Sequence, residues 1–237
     1  MSKTSLVDDL VESILDRILR GEFAAHQMLP PEAVLAETAG VSRLTAREAI
    51  KSLQAQKIVH VRRGLGTFVN PPSGWSSLDA ILRAAAHDLG SSEVPLRLLE
   101  VRRMVETGSA ELAATNHDDN DLLLLDATIK EMQAAFADGD LERFTRNDLA
   151  FHDIVLAASG NPFVPALMDQ LGQLLYTLRR ETSAFVEVQR HAIEHHRAVR
   201  AAIATREPGE ARLAMEAHLR QTLADYEHFI QAGRQDA

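Results

Sequence analysis

Val41-Ser42-Arg43-Leu44-Thr45-Ala46-Arg47-Glu48-Ala49-Ile50-Lys51-Ser52-Leu53 is the stretch on which the fold of the first part of this 237-residue chain turns. Ser42 is placed to cap a helix running from Arg43 to about Gln56. Ala46, Ala49, Ile50 and Leu53 recur at helical spacing and face inward, which leaves Arg43, Thr45, Arg47 and Lys51 for other faces. The preceding Ala39-Gly40-Val41 is a tight turn, with Gly40 ending the helix before it. That helix starts near Leu29-Pro30-Pro31-Glu32 and carries Val34 and Leu35, since proline is tolerated in a first turn and an acid there suits the helix dipole. Further back, Leu6, Val7, Leu10, Val11, Ile14, Leu15, Ile18 and Leu19 share one helical face, opened by Ser5-x-x-Asp8 as a capping box and closed by Gly21. Downstream, Ile58-Val59-His60-Val61 and Thr67-Phe68-Val69 are β-prone runs on either side of Arg62-Arg63-Gly64-Leu65-Gly66, a hairpin with a basic, glycine-bearing tip.

Three helices with a sharp turn before the third, then a hairpin, describe a winged helix-turn-helix. A helix fits the major groove of DNA, its N-terminal residues reach base edges, and a basic hairpin reaches the backbone or the neighbouring minor groove. The charge distribution agrees. The chain as a whole carries a net charge of -9, yet residues 38–66 hold six Lys/Arg against the single acid Glu48. Residues 1–70 carry nine Lys/Arg against eight Asp/Glu, whereas residues 71–237 carry sixteen against twenty-six. A merely solvated basic face is the alternative for such a helix. Here Arg43, Arg47 and Lys51 on the third helix join Arg62 and Arg63 at the hairpin tip, which favours phosphate contact.

Asn70-Pro71-Pro72-Ser73-Gly74-Trp75-Ser76-Ser77 concentrates turn formers and predicts a boundary: a DNA-binding domain over 1–70, a linker over 71–77 that would accommodate domain motion, and a second domain over 78–237. The second domain reads as an all-α bundle of about seven helices: Leu78–Leu89, Val94–Ala114, Asn120–Ala137, Leu141–Ala158, Phe163 to about Phe185, Val188–Ala204 and Pro208–Gln231. The fold class is therefore mostly α. The apolar content of 46% excludes a disordered tail, and no run of about 18 uncharged apolar residues is present to span a bilayer. The first residues lack the layout of a secretory signal, so a cytoplasmic protein is expected. The absence of cysteine removes disulfides, thiolate nucleophiles and Cys-ligated metals together. No glycine-rich phosphate loop, Gly-x-Ser-x-Gly elbow or His-Glu-x-x-His pair occurs in the second part, and no enzymatic activity is expected.

Ten histidines remain. Asp148 and His152, four residues apart on one helix, project from one face as two ligands of a metal ion must, although such a pair is more often a surface ion pair. His196 and His218 lie on the last two helices among apolar neighbours, His196 beside Val199 and Ile203 and His218 beside Met215 and Leu219. Each reads equally as a core histidine satisfied by a carbonyl or an acid.

Leu29-Pro30-x-Glu32-x-x-Leu35-Ala36, Val41-Ser42-Arg43-x-x-x-Arg47-Glu48-Ala49-Ile50 and Gly64-x-Gly66-Thr67-Phe68-Val69 resemble the DNA-binding domain of GntR-superfamily bacterial transcription regulators. Residues 94–230 resemble the FCD ligand-binding domain of the FadR subgroup, through Glu100-Val101-Arg102-x-x-x-Glu106, Asn147-Asp148-x-x-Phe151-His152, Ser159-Gly160-Asn161-Pro162 and Glu194-His195-His196-Arg197. The resemblance implies that Ser42, Arg43, Thr45 and Arg47 contact operator DNA, with Arg63 and Gly64 at the wing; Lys51 and Arg62 join them from the basic patch. Ala33 and Leu44 depart from the family pattern, where a DNA-contacting Arg and a small hydroxyl residue are common. It further implies a divalent ion, of zinc, nickel or manganese type, held by Asp148, His152, His196 and His218. Arg102 would then pair with a small carboxylate effector, and Asn161 would add an amide dipole; a salt bridge from Arg102 to Glu106, and a mere turn role for Asn161, are the competing readings. His195, about 100° around the helix from His196, and His191 are ranked behind the four ligands. The implied protein is a homodimer that binds double-stranded operator DNA of a metabolic operon, as a repressor relieved by effector. A metal-dependent enzyme with an N-terminal interaction module, or a regulator responding to the metal itself or to an acyl ester, are the alternatives.

Overall fold

The computed structural model describes residues 5–90 and 93–231, and the chain divides into two compact units, residues 1–90 and 91–237. The first unit contains α1 (Leu6–Leu19), α2 (Glu32–Ala39), α3 (Arg43–Ala55), a hairpin of β1 (Val59–Arg62) and β2 (Gly66–Val69), and α4 (Leu78–Leu89). Ser5 caps α1, its hydroxyl accepting from the Asp8 N–H at 3.2 Å and donating to the Asp8 carboxylate at 2.7 Å. Gly40 closes α2 in the left-handed region, at φ 66°, and turns the chain into α3. Leu10, Ile14 and Leu15 of α1, Ala46, Ala49 and Leu53 of α3, and Ile58 and Val69 of the hairpin form one core.

The hairpin pairs Val59 with Val69 and Arg62 with Gly66, so its tip is Arg63-Gly64-Leu65. Residues 26–29 lie along β2, the His26 N–H donating to the Val69 carbonyl at 2.8 Å and the Leu29 N–H to the Thr67 carbonyl at 2.8 Å, so Leu29, expected at the start of the second helix, precedes α2 as an extended residue. That strip explains Gly66. Its φ of +128° suits glycine, and a Cβ there would meet Met28 Sδ at 2.9 Å.

The expected boundary at 71–77 is not where the units part. Pro72–Gly74 form a 3₁₀ turn, Trp75 is only 6% exposed, its indole N–H donates to the Asn70 carbonyl at 2.9 Å, and the Ser76 N–H donates to the Gln56 carbonyl at 2.9 Å. The α4 helix then buries Ala80 and Ala84 in the N-terminal core, and Arg83 bonds Glu12 and Asp16 of α1 at 2.6 Å each. The Pro/Gly/Ser-rich run marks a change of chain direction within the unit; turn chemistry is local and does not report which core the following helix joins. Trp75→Ala is expected to cost about 3–5 kcal/mol of stability, read as a lower urea midpoint for the N-terminal unit; an unchanged midpoint would contradict the anchoring.

The second unit contains α5 (Val94–Asn116), α6 (Asp119–Asp138), α7 (Leu141–Ala158), α8 (Phe163–Asp169), α9 (Gly172–Thr182), α10 (Val186–Ala204) and α11 (Pro208–Tyr226), followed by a π-helical turn at Glu227–Gln231. The long helix expected over 163–185 is broken at Gln170-Leu171, where Leu171 is buried and Gly172, a poor helix former, begins the next helix. Asp118 and Asp121 form a reciprocal capping box at the start of α6. Ala110, Ala113 and Ala114 of α5 pack with Leu125 of α6, Phe151 and Val155 of α7, Val199 and Ile203 of α10, and Met215 of α11. Among the described residues, no helix is long and apolar enough to cross a membrane.

Candidate functional site

Two sets of side chains were singled out by the sequence, one in each unit. In the first, Ser42 caps α3, its hydroxyl accepting from the Thr45 N–H at 3.0 Å and lying 2.8 Å from the Thr45 hydroxyl. Arg43, Arg47 and Lys51 are exposed along the same helix, and Leu44 is 65% exposed, an apolar side chain presented to solvent beside them. Arg47 Nε lies 3.2 Å from Glu32 of α2 and Lys51 Nζ 2.9 Å from Glu48; exposed pairs of this kind are weak and are exchanged readily for phosphate. Arg62, Arg63 and Gly64 are exposed on the hairpin, where the Arg62 guanidinium stands 5.0 Å above the Phe68 ring and Gly64 adopts a φ of 77°.

In the second unit, one residue from α7, one from α10 and one from α11 converge. His152 Nε2 lies 3.2 Å from His196 Nε2 and 3.3 Å from His218 Nε2, and all three rings are buried. Two ligands bound at ~2.0–2.1 Å to one ion sit about 3.0 Å apart at right angles and about 3.4 Å apart at the tetrahedral angle. The observed spacing lies between those limits. Asp148, one turn before His152 on α7, places Oδ1 3.5 Å from His196 Nε2, and its other oxygen forms a close ion pair with Arg179 Nη1. The His196 ring stacks on Phe151, with centroids 3.9 Å apart and planes within 5°. Glu106 Oε2 stands 2.7 Å from His152 Nδ1, a contact whose angles fall short of a hydrogen bond. A carboxylate at Nδ1 favours the proton there, which leaves the Nε2 lone pair facing its two counterparts. Buried lone pairs that converge in this way can be satisfied by a cation between them, and three imidazole nitrogens with a carboxylate close by are a donor set that suits a divalent transition ion.

Electrostatics keep the three imidazoles in their neutral, ligating form. Burial, and then the neighbouring cations and imidazoles, pushes His152, His196 and His218 well below the ordinary imidazole value. Burial raises the Asp148 carboxyl above its usual range despite Arg179 and Arg102. Burial and the Arg102 charge together lower the Arg179 guanidinium to about 10, so it remains charged at neutral pH. For the histidines the linkage runs one way. The unfolded chain takes up protons near pH ~6.5 while the native state resists them, so stability is present above that pH and is lost as the pH falls below it. The metal-free protein is expected to lose up to ~4 kcal/mol per pH unit below pH ~6 if all three histidines contribute. Thermal melts of chelated protein from pH 7.5 to 5.5 check this; a flat profile would mean that the imidazoles are already accessible to protons.

Arg102 is 1% exposed and grips Glu106 with Nε at 2.6 Å and Nη2 at 3.1 Å. The expected alternatives for Arg102 are thus combined: the salt bridge to Glu106 exists, but it is buried, and Nη2 also lies 3.5 Å from His152 Nε2. Arg179 of α9 is brought in as well, and Glu106 is the supporting carboxylate that sequence reading took only as a partner for Arg102. Asn161 is not brought to this cluster. It is exposed in the turn before α8, where its Oδ1 accepts from the Phe163 N–H at 3.1 Å. As a residue beside a helix start it does what asparagine commonly does, shaping a turn. Tyr176 bonds Glu142 at 2.6 Å, His191 faces Asp225 at 3.0 Å, and the His195 ring is 5.8 Å from that of His218, which leaves His191 and His195 outside the ligand cluster.

Comparison with known proteins follows the two units. Residues 6–69 match the family of bacterial regulatory proteins, gntR family, and residues 97–221 match the FCD domain. The chain is 35% identical over 208 residues to the HTH-type transcriptional regulator LutR of Bacillus subtilis (strain 168), covering 85% of this chain and 92% of that protein. It is 30% identical over 174 residues to the galactonate operon transcriptional repressor of Escherichia coli (strain K12), covering 73% of each. Among solved structures, a Streptococcus agalactiae GntR protein is 28% identical with a TM-score of 0.52, covering 92% of this chain and 98% of that one. These relatives are transcription regulators and not enzymes, which bears out the expectation of no enzymatic activity. The chain belongs to the GntR family of bacterial regulatory proteins, carries an FCD domain, and is a DNA-binding transcription regulator.

Proposed function

We propose that this regulator is a homodimeric repressor of a metabolic operon, released from its operator by a small carboxylate that binds beside a divalent ion in the second unit. Asp148, His152, His196 and His218 would hold the ion, and Arg102 and Arg179 would hold the carboxylate. The observation that carries the reading is the meeting of the His152 Nε2 with those of His196 and His218, at 3.2 and 3.3 Å, among buried side chains. When bound, the ion would add positive charge beside the two guanidiniums that receive the anion. Ser42, Arg43, Thr45, Arg47 and Lys51 would contact the operator from α3, with Arg62, Arg63 and Gly64 at the hairpin tip. A dimer follows from the two-fold symmetry that operators of such proteins share. The effector acts by its difference in affinity for the DNA-competent and DNA-incompetent states, so it must bind the latter more tightly.

Elemental analysis of protein purified without chelator tests the ion, and mobility shifts on the DNA upstream of the protein's own coding sequence test the regulator. About one equivalent of a divalent transition ion per chain is expected, with a shifted band that carboxylate dissolves only in the metal-loaded protein. Loss of the band on chelation alone would instead assign the signal to the metal.

A further inference from the structure

The cavity beside the histidine cluster decides how large an effector the second unit accepts and how many carboxylates it carries; the argument rests on the carboxylate reading just given. It has a volume of about 100 Å³ and is lined on its buried side by Arg102, His152 and Arg179, with the buried carboxylate of Glu106 already paired to Arg102. A cavity of ~150 Å³ holds the six carbons of benzene, so this one takes by proportion about four non-hydrogen atoms. Two of its guanidinium atoms are buried and lack a hydrogen-bond partner, Arg102 Nη1 and Arg179 Nε. A buried donor without an acceptor is costly, and the two come from different side chains on α5 and α9. One carboxylate offers two oxygens and answers both.

The rest of the lining has no place for a second anionic group. Leu149, Leu156, Met168 and Leu175 present apolar surface, and the exposed residues among the lining are the acids Asp153 and Asp169. A second carboxylate, or the hydroxyls of a sugar acid, would be desolvated against leucine and methionine or set against like charge. We infer that the effector is a monocarboxylate of two or three carbons, its carboxylate received by Arg102 and Arg179 and its short tail by Leu149, Leu156, Met168 and Leu175.

The test is isothermal titration of the metal-reconstituted full chain with acetate, propionate and lactate, and in parallel with malonate, succinate and a six-carbon aldonate. At least one short monocarboxylate is expected to bind ten-fold or more tightly than every dicarboxylate and the aldonate. A dicarboxylate or aldonate that binds as tightly as the best short acid would overturn the size and charge assignment while leaving the carboxylate reading in place; silence from all six would remove both. Met168→Ala widens the cavity and is expected to raise affinity for butyrate relative to propionate about ten-fold, with Leu156→Val as the milder enlargement if that variant folds poorly. Unchanged ratios in a folded variant would show that these side chains do not bound the effector.

Discussion

Replacing both Arg43 and Arg47 by alanine is expected to lower affinity for the operator by a factor of roughly 30 to 10⁴ with the fold intact. Each arginine that reaches a guanine edge contributes ~1–3 kcal/mol of discrimination, and each 1.4 kcal/mol is a factor of ten. Both side chains are exposed and, among the described residues, their ion-pair partner is Glu32, paired with Arg47 at 3.2 Å on the surface, so removing them leaves no buried group of those residues unsatisfied. Ala46, Ala49, Ile50 and Leu53, on the opposite face of α3, keep the helix seated. Lys51→Ala should behave differently: it removes a charge that meets phosphate, so it weakens all sequences alike and lowers the salt slope by about one. Fluorescence anisotropy on operator and scrambled duplexes at two salt concentrations separates the cases. Equal affinity of the double variant and the parent for the operator would remove α3 as the reading helix.

The second large effect concerns the ion. His152→Ala is expected to abolish stoichiometric metal and to erase the thermal stabilisation that the parent gains from it. At a hundred times its dissociation constant an ion contributes ~2.7 kcal/mol to stability, and for a unit of about 150 residues each kcal/mol shifts the melting temperature by roughly 2–4 °C, so the difference between metal-loaded and chelated parent should be about 5–10 °C. His218→Ala should have the same consequence, and the double variant should add almost nothing to the metal-dependent shift, because residues that share one ligand are not independent. The Arg102–Glu106 pair, at 2.6 and 3.1 Å, does not depend on the imidazole and limits collapse of the site. Paired melts with and without metal are the measurement. A His152→Ala protein that still gained several degrees from the ion would move the metal elsewhere.

Much of this was legible in the chain and some was not, for reasons that particular residues make plain. The α1, α2 and α3 helices and the hairpin follow from periodicity and from Ser42 and Gly40, whose cap and turn are satisfied within a few residues. The extended pairing of residues 26–29, with Leu29 read as a helix start, was not visible because their partners are in β2, some forty residues on. The α4 helix was assigned to the wrong unit because its alanines and Arg83 read the same whichever core they meet. Four candidate ligands were named from spacing and family resemblance. Nothing in their spacing disclosed that Glu106 would back His152, that Arg179 would face Asp148, or that Asn161 would stay outside.

By itself the sequence determined the class of fold, the position of the basic reading helix and its wing, and the family to which the chain belongs, because helical period, capping and turn chemistry are written over three to seven residues. Only the tertiary structure decided where the first unit ends, which way Asp148 and the three histidines point, and how small the neighbouring cavity is. Those depend on helices distant in sequence packing side by side: α7, α10 and α11 supply one histidine each to a cluster whose parts, taken singly, are ordinary core residues, and α5 brings Arg102 beside them.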